Sequence, residues 1–70
     1  MPKLYSSKEI IKILNAKGFI FMSQKGSHVK LRKFGHTTLT VIVPADRKQI
    51  PKGTFKSILR QANLTEESFR

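Results

Sequence analysis

In the stretch Lys25-Gly26-Ser27-His28-Val29-Lys30-Leu31-Arg32-Lys33, an imidazole recurs with cations at a spacing of two. A spacing of two is the period of a β-strand, whose side chains point alternately to opposite faces. His28, Lys30 and Arg32 then share one face, and Ser27, Val29 and Leu31 share the other. An imidazole titrates near neutrality and serves as a general acid or base, while cations beside it hold and stabilise phosphate. The pattern suits chemistry on a polyanion laid against an open sheet face. Gly26-Ser27 precedes the histidine and reads as a turn that lets backbone approach a phosphate closely.

Little else in the chain could catalyse. His36, the other histidine, falls in a turn and reads as a solvent-facing or structural residue. There is no cysteine, so neither a disulfide framework nor a thiolate metal site can form. The four acids are Glu9, Asp46, Glu66 and Glu67. They supply no clustered carboxylates for a pair of magnesium ions, and two histidines are too few for a zinc site. No metal and no cofactor is expected.

The charge balance names the class of partner. Fourteen Lys and Arg against four acids give a formal net charge of +10 and a pI near 10.6. Self-repulsion of that size works against a compact fold, so an anionic partner is expected: nucleic acid first, an acidic protein second. A membrane surface fits poorly, because no amphipathic helix has a broad apolar face to spare and no apolar run is long enough to span. No charged-then-apolar leader stands at the start, so the default location is cytoplasmic.

Seventy residues suggest one domain, 1–70, with room for one sheet backed by one helical layer; roughly 60% of the chain's surface is buried at this size. Ser6-Ser7-Lys8-Glu9 is a capping box, with Tyr5 and Ile10 placed as a hydrophobic staple. Ile10, Ile13 and Leu14 continue at helical spacing, and Gly18 is a natural stop, so a helix is expected over 7–17. Strand 1 follows over 19–23, with Phe19 and Phe21 facing the helices and Ile20 and Met22 facing out. Gln24-Lys25-Gly26 reads as the turn, with Gly26 at positive φ, and strand 2 runs over 27–33. After a turn at Phe34-Gly35-His36, strand 3 spans 37–43 and ends at Pro44. It turns Leu39, Val41 and Val43 to the core and Thr38, Thr40 and Ile42 to the face of His28.

After a loop over 45–51, a second helix is expected over 52–62. Phe55, Ile58, Leu59 and Ala62 give it a complete core stripe, and Asn63 and Leu64 close it. Residues 65–70 read as a frayed turn. The fold class is α+β, α-β-β-β-α, a three-stranded antiparallel sheet with both helices on one face. Lys52, Lys56 and Arg60 line the helix's outer side. Two of them sit at the positive end of its macrodipole, where each cation costs about 0.3–1 kcal/mol. With the free amides of Gly53 and Thr54 they form a second candidate phosphate site.

Several of these segments together resemble the HicA toxins of bacterial and archaeal toxin–antitoxin pairs. They are Gly18-Phe19, Lys25-Gly26-Ser27-His28, Val43-Pro44 and the run from Ile50 to Ala62, Pro51-Lys52-Gly53-Thr54-Phe55 included. The resemblance implies a double-stranded-RNA-binding-domain-like fold, which agrees with the order of elements read above. It implies the toxin of a type II pair, an mRNA interferase of the stress response whose catalytic residue is His28, and a HicB-type antitoxin as partner. In that setting His28 moves protons in metal-independent RNA cleavage. Lys25, Lys30 and Arg32 stabilise the phosphorane, Gly26 and Ser27 contact the backbone, and Lys52, Gly53 and Lys56 hold flanking phosphates. The alternative is a non-catalytic RNA-binding module of the same fold. Two positions depart from the family pattern: Asp46 stands where a histidine is frequent, and Asn63 stands where glycine usually ends the second helix.

Overall fold

A computed structural model describes residues 4–69. Residues 1–3 of the lead-in and Arg70 lie outside the described residues. Helix α1 (Ser7–Ala16) starts at the capping box. Ser6 Oγ accepts from the Glu9 amide at 3.1 Å, and Glu9 Oε1 accepts from the Ser6 amide at 2.9 Å. The helix ends at Gly18, whose φ of +99° is open to glycine and strained for other residues. The stem of Lys33 lies against that glycine, 3.3 Å from where a Cβ would stand.

Three strands follow, β1 (Ile20–Lys25), β2 (His28–Lys33) and β3 (Leu39–Pro44), in an antiparallel sheet of order β1-β2-β3. Helix α2 (Lys52–Ala62) and a short 3-10 turn (Glu66–Phe69) complete the chain. This is the α-β-β-β-α order of double-stranded-RNA-binding domains. Ile10, Leu14, Phe19, Leu31, Val41, Val43 and Ile58 are almost completely shielded from solvent and form one cluster between sheet and helices. At 25–30 cal/mol per Å2 of apolar surface, such burial is the main favourable term in folding. α2 ends on Asn63 in the left-handed conformation (φ 56°, ψ 42°), with the Leu64 amide donating to Leu59 O at 3.0 Å. The backbone expected to need Asn or Gly therefore has Asn.

Four expectations are corrected. Strand 1 begins at Ile20 and runs to Lys25, so the turn is Gly26-Ser27 and Ser27 is not in strand 2. Gly26 has φ +60° and Ser27 is not at positive φ, which fits a two-residue hairpin with glycine first. Strand 3 spans Leu39–Pro44 rather than 37–43; Pro44 still pairs with His28 because the amide it lacks would point outward from the sheet edge, not toward β2.

Phe21 is 58% exposed rather than packed against the helices. Its register partner is the buried Leu31, so it does point to the helix side. The helices, however, pack mainly over β3, and the outer strand projects beyond their cover. Last, the end of the chain is docked, not frayed. Phe69 is 4% exposed, and its ring meets Phe55 and Tyr5 edge-on, with centroids 5.0 and 5.6 Å apart. Tyr5 OH donates to Phe69 O at 2.7 Å. Ile50, in the expected loop, is fully buried, and its amide donates to Tyr5 O at 2.8 Å.

Candidate phosphate-handling face

The β2 alternation holds along its length. Val29 and Leu31 are buried, Lys30 and Arg32 are half-buried, and His28 is exposed. Residues paired across an antiparallel ladder share a face. The register therefore extends the strip sideways, with Ile42 opposite Lys30, Thr40 opposite Arg32 and Pro44 opposite His28. Arg32 Nε donates to Thr40 Oγ1 at 3.0 Å, which holds the guanidinium down on the sheet; among the described residues its remaining donors have no hydrogen-bond partner and can meet an anion.

On the other side of β2, a bulge decides what stands beside the histidine. Phe21 pairs with Leu31 and Ser23 with Lys30, leaving Met22 as an extra residue in β1. Strict alternation from Phe19 and Phe21 would send Lys25 to the helix side. The bulge resets the alternation, so Ser23 and Lys25 come to the open face and Lys25 lies directly opposite His28. Directly opposed side chains have Cβ atoms about 4.5–5.5 Å apart, and residues two apart on one strand are about 6.5–7 Å apart. His28 thus has Lys25 across from it, Lys30 next on its own strand and Arg32 one step further. Lys33 pairs with Leu39 on the opposite face, so this cation is not part of the strip.

The turn that carries Gly26 and Ser27 is anchored. Ser27 O accepts from the Ala45 amide at 2.7 Å, and Gln24 Nε2 donates to Gly26 O at 3.2 Å. The loop that begins at Ala45 is anchored in turn by Ser7. The Ser7 hydroxyl donates to Pro44 O at 2.5 Å and accepts from the Arg47 amide at 3.0 Å, and the Ser7 amide donates to Arg47 O at 2.9 Å. Ser7 is 3% exposed. Sequence reasoning assigned it only to the first helical turn. A serine buried at the first helical position and bonded to a loop 37–40 residues away has no distinctive sequence signal.

Asp46 sits in this loop with φ 56°, a left-handed position that Asp tolerates better than most residues. It lines a shallow cleft with Ser6, Ser7, Lys8, Arg47 and Lys48. Asp46 is exposed and lies two residues beyond Pro44, the register partner of His28.

Lys52, Gly53 and Lys56 are exposed at the start of α2, and Arg60 is exposed one turn further along. α2 has no side-chain N-cap; Pro51 occupies that position. These residues belong to the layer behind the sheet, so the structure groups His28, Lys25, Lys30 and Arg32 but leaves the α2 cations as a separate set. His36 is exposed in the loop between β2 and β3. Among the described residues, no group of three His, Asp or Glu stands close enough to hold a metal ion, and no helix is long and apolar enough to cross a membrane.

Chemically, the open face can do two things: hold a polyanion along a line of fixed cations and transfer a proton from an accessible imidazole in their midst. A search against curated proteins returned no match. A family model described as the HicA toxin of bacterial toxin–antitoxin systems matches residues 7–64, from the first turn of α1 to the residue that closes α2. That span contains the whole strip, the bulge and both helices, and the chain belongs to the HicA toxin family.

Proposed function

We propose that this toxin is a metal-independent endoribonuclease that cuts mRNA with His28 as its single catalytic histidine and is restrained by a HicB-type antitoxin. The observation that carries the reading is the exposed His28 flanked on one open face by Lys25, Lys30 and Arg32. RNA provides its own nucleophile, the 2′-hydroxyl beside the scissile phosphate. His28 takes the 2′-hydroxyl proton as the oxygen attacks phosphorus, with water protonating the departing 5′-oxygen, or it delivers the proton to that oxygen while water accepts the one from the 2′-hydroxyl. The P–O5′ bond breaks, leaving a 2′,3′-cyclic phosphate and a 5′-hydroxyl. The phosphorane gathers negative charge, and Lys25, Lys30 and Arg32 stabilise it more than they stabilise the ground state.

Gly26 and Ser27 offer backbone and hydroxyl contacts beside the cut, and Lys52, Gly53 and Lys56 hold phosphates further along the strand. With one imidazole and no second acid in the strip, acid–base catalysis contributes about 10²–10⁴-fold, and positioning supplies much of the remainder. A cytoplasmic site of action in the stress response follows from the same reading.

A substrate with a single 2′-deoxy nucleotide at the cleavage site tests the mechanism. It binds like the all-RNA strand but is not cut there. Cleavage of that strand, or of all-DNA, at the all-RNA rate would overturn the reading. Retention of RNA without cutting by the wild-type protein would leave a binding module.

A further inference from the structure

The two edges of the sheet are finished differently. On β3 the outward amide of Ile42 is occupied, donating to Gln61 Oε1 at 2.9 Å, while Gln61 Nε2 reaches Ser57 Oγ on α2. Pro44, two residues on, has no amide to offer. A further strand finds little to pair with there.

β1 has no such cover. Because Ile42 turns its amide away from Lys30, Lys30 directs its own bonds to β1, and the ladder alternates from there. Phe21 and Gln24 consequently turn their N–H and C=O outward, and neither outward amide finds a partner elsewhere among the described residues. This edge is also apolar. Ile20, Phe21 and Met22 are 51%, 58% and 39% exposed, three consecutive large side chains on a chain with a net charge of +10. Open-face RNA binding does not account for Phe21, whose side chain lies on the helix side of the sheet with Leu31.

We propose that the free edge of β1 is a docking site for an extended acidic segment of a partner protein, which adds to the sheet as a fourth strand. Backbone bonds to Phe21 and Gln24 would set its register. Its residues on the helix side would cover Phe21 with apolar side chains. Those on the open side would lie by Ile20, Ser23 and Lys25, where carboxylates meet the cationic face. Charge selects this occupant over a second copy of the chain, since edge-to-edge pairing of two copies would bring together two molecules of +10 each. The proposal does not depend on RNA cleavage: the strand pairing and the cover over Phe21 use the edge and the helix side, and the open face contributes only its positive charge, whether or not His28 cuts RNA.

The probe is a synthetic peptide of alternating valine and glutamate with blocked ends, added to the isotope-labelled full chain. Amide shifts should move along β1, and exchange should slow at Phe21 and Gln24. Phe21→Glu, an exposed position, should weaken binding roughly tenfold or more while leaving the melting temperature unchanged. Gln24→Pro, which removes the outward amide together with the side-chain bond to Gly26 O, should weaken it too, whereas Gln24→Ala, which removes only the side-chain bond, should not, and a valine–lysine peptide should not bind. Three results would overturn the proposal: shifts confined to Lys30, Arg32 and the α2 lysines, protection of β1 by self-association without peptide, or no binding up to about 1 mM.

Discussion

Ser7 carries more of this architecture than its place in a helical turn requires. Its hydroxyl satisfies both Pro44 O and the Arg47 amide from a buried position, joining the start of α1 to the loop that supports the Gly26-Ser27 turn. Ser7→Ala should therefore cost about 1–3 kcal/mol, read as a lower urea midpoint, whereas Ser7→Ala in a simply exposed first turn would be almost neutral. The cations divide by face with equal definition. Lys25→Ala and Lys30→Ala should each flatten the dependence of log affinity for single-stranded RNA on log salt by about 0.7–1. Lys33→Ala, the same loss of charge on the opposite face, should leave that slope nearly unchanged. Equal effects from all three would mean that RNA responds to net charge and not to the strip.

The elements were legible in proportion to how local their signals are. The capping box, the Gly18 stop, the β2 alternation and the Phe55-Ile58-Leu59-Ala62 stripe each depend on residues within one turn or strand, and each stands where periodicity placed it. Three features were not legible. The bulge at Met22 arises from pairing with β2, and no residue within β1 marks it. The exposure of Phe21 depends on how far the helices reach across the sheet. The docking of Phe69 depends on Tyr5, which is 64 residues away. For the candidate site, the strand's own alternation was enough to group His28, Lys30 and Arg32, but the placement of Lys25 opposite the histidine required the bulge.

Phe69→Ala should cost about 3–5 kcal/mol, where a frayed terminus would lose nothing. Asn63→Ala should cost about 1 kcal/mol and Asn63→Gly very little, both read from thermal midpoints.

For the molecule as a whole, one surface has to reconcile a small core with a large positive charge. The core resides between the helices and the inner strands, and the charge is spread over the open face and α2. Screening should then act in opposite directions on folding and on binding. Added salt should raise the melting temperature by relieving self-repulsion and lower the affinity for RNA by competing for the same cations. A melting temperature that falls over the same salt range would show that attraction outweighs repulsion among the surface charges. The proposed chemistry asks only for an exposed histidine among cations to cut RNA without a metal. Its most direct measurement is cleavage of a labelled single-stranded RNA in EDTA by the wild type and by His28→Ala. The wild type should cut in EDTA, and the variant should bind the RNA with similar affinity and leave it whole. Cleavage by His28→Ala at the wild-type rate, or loss of wild-type cleavage in EDTA, would contradict the account.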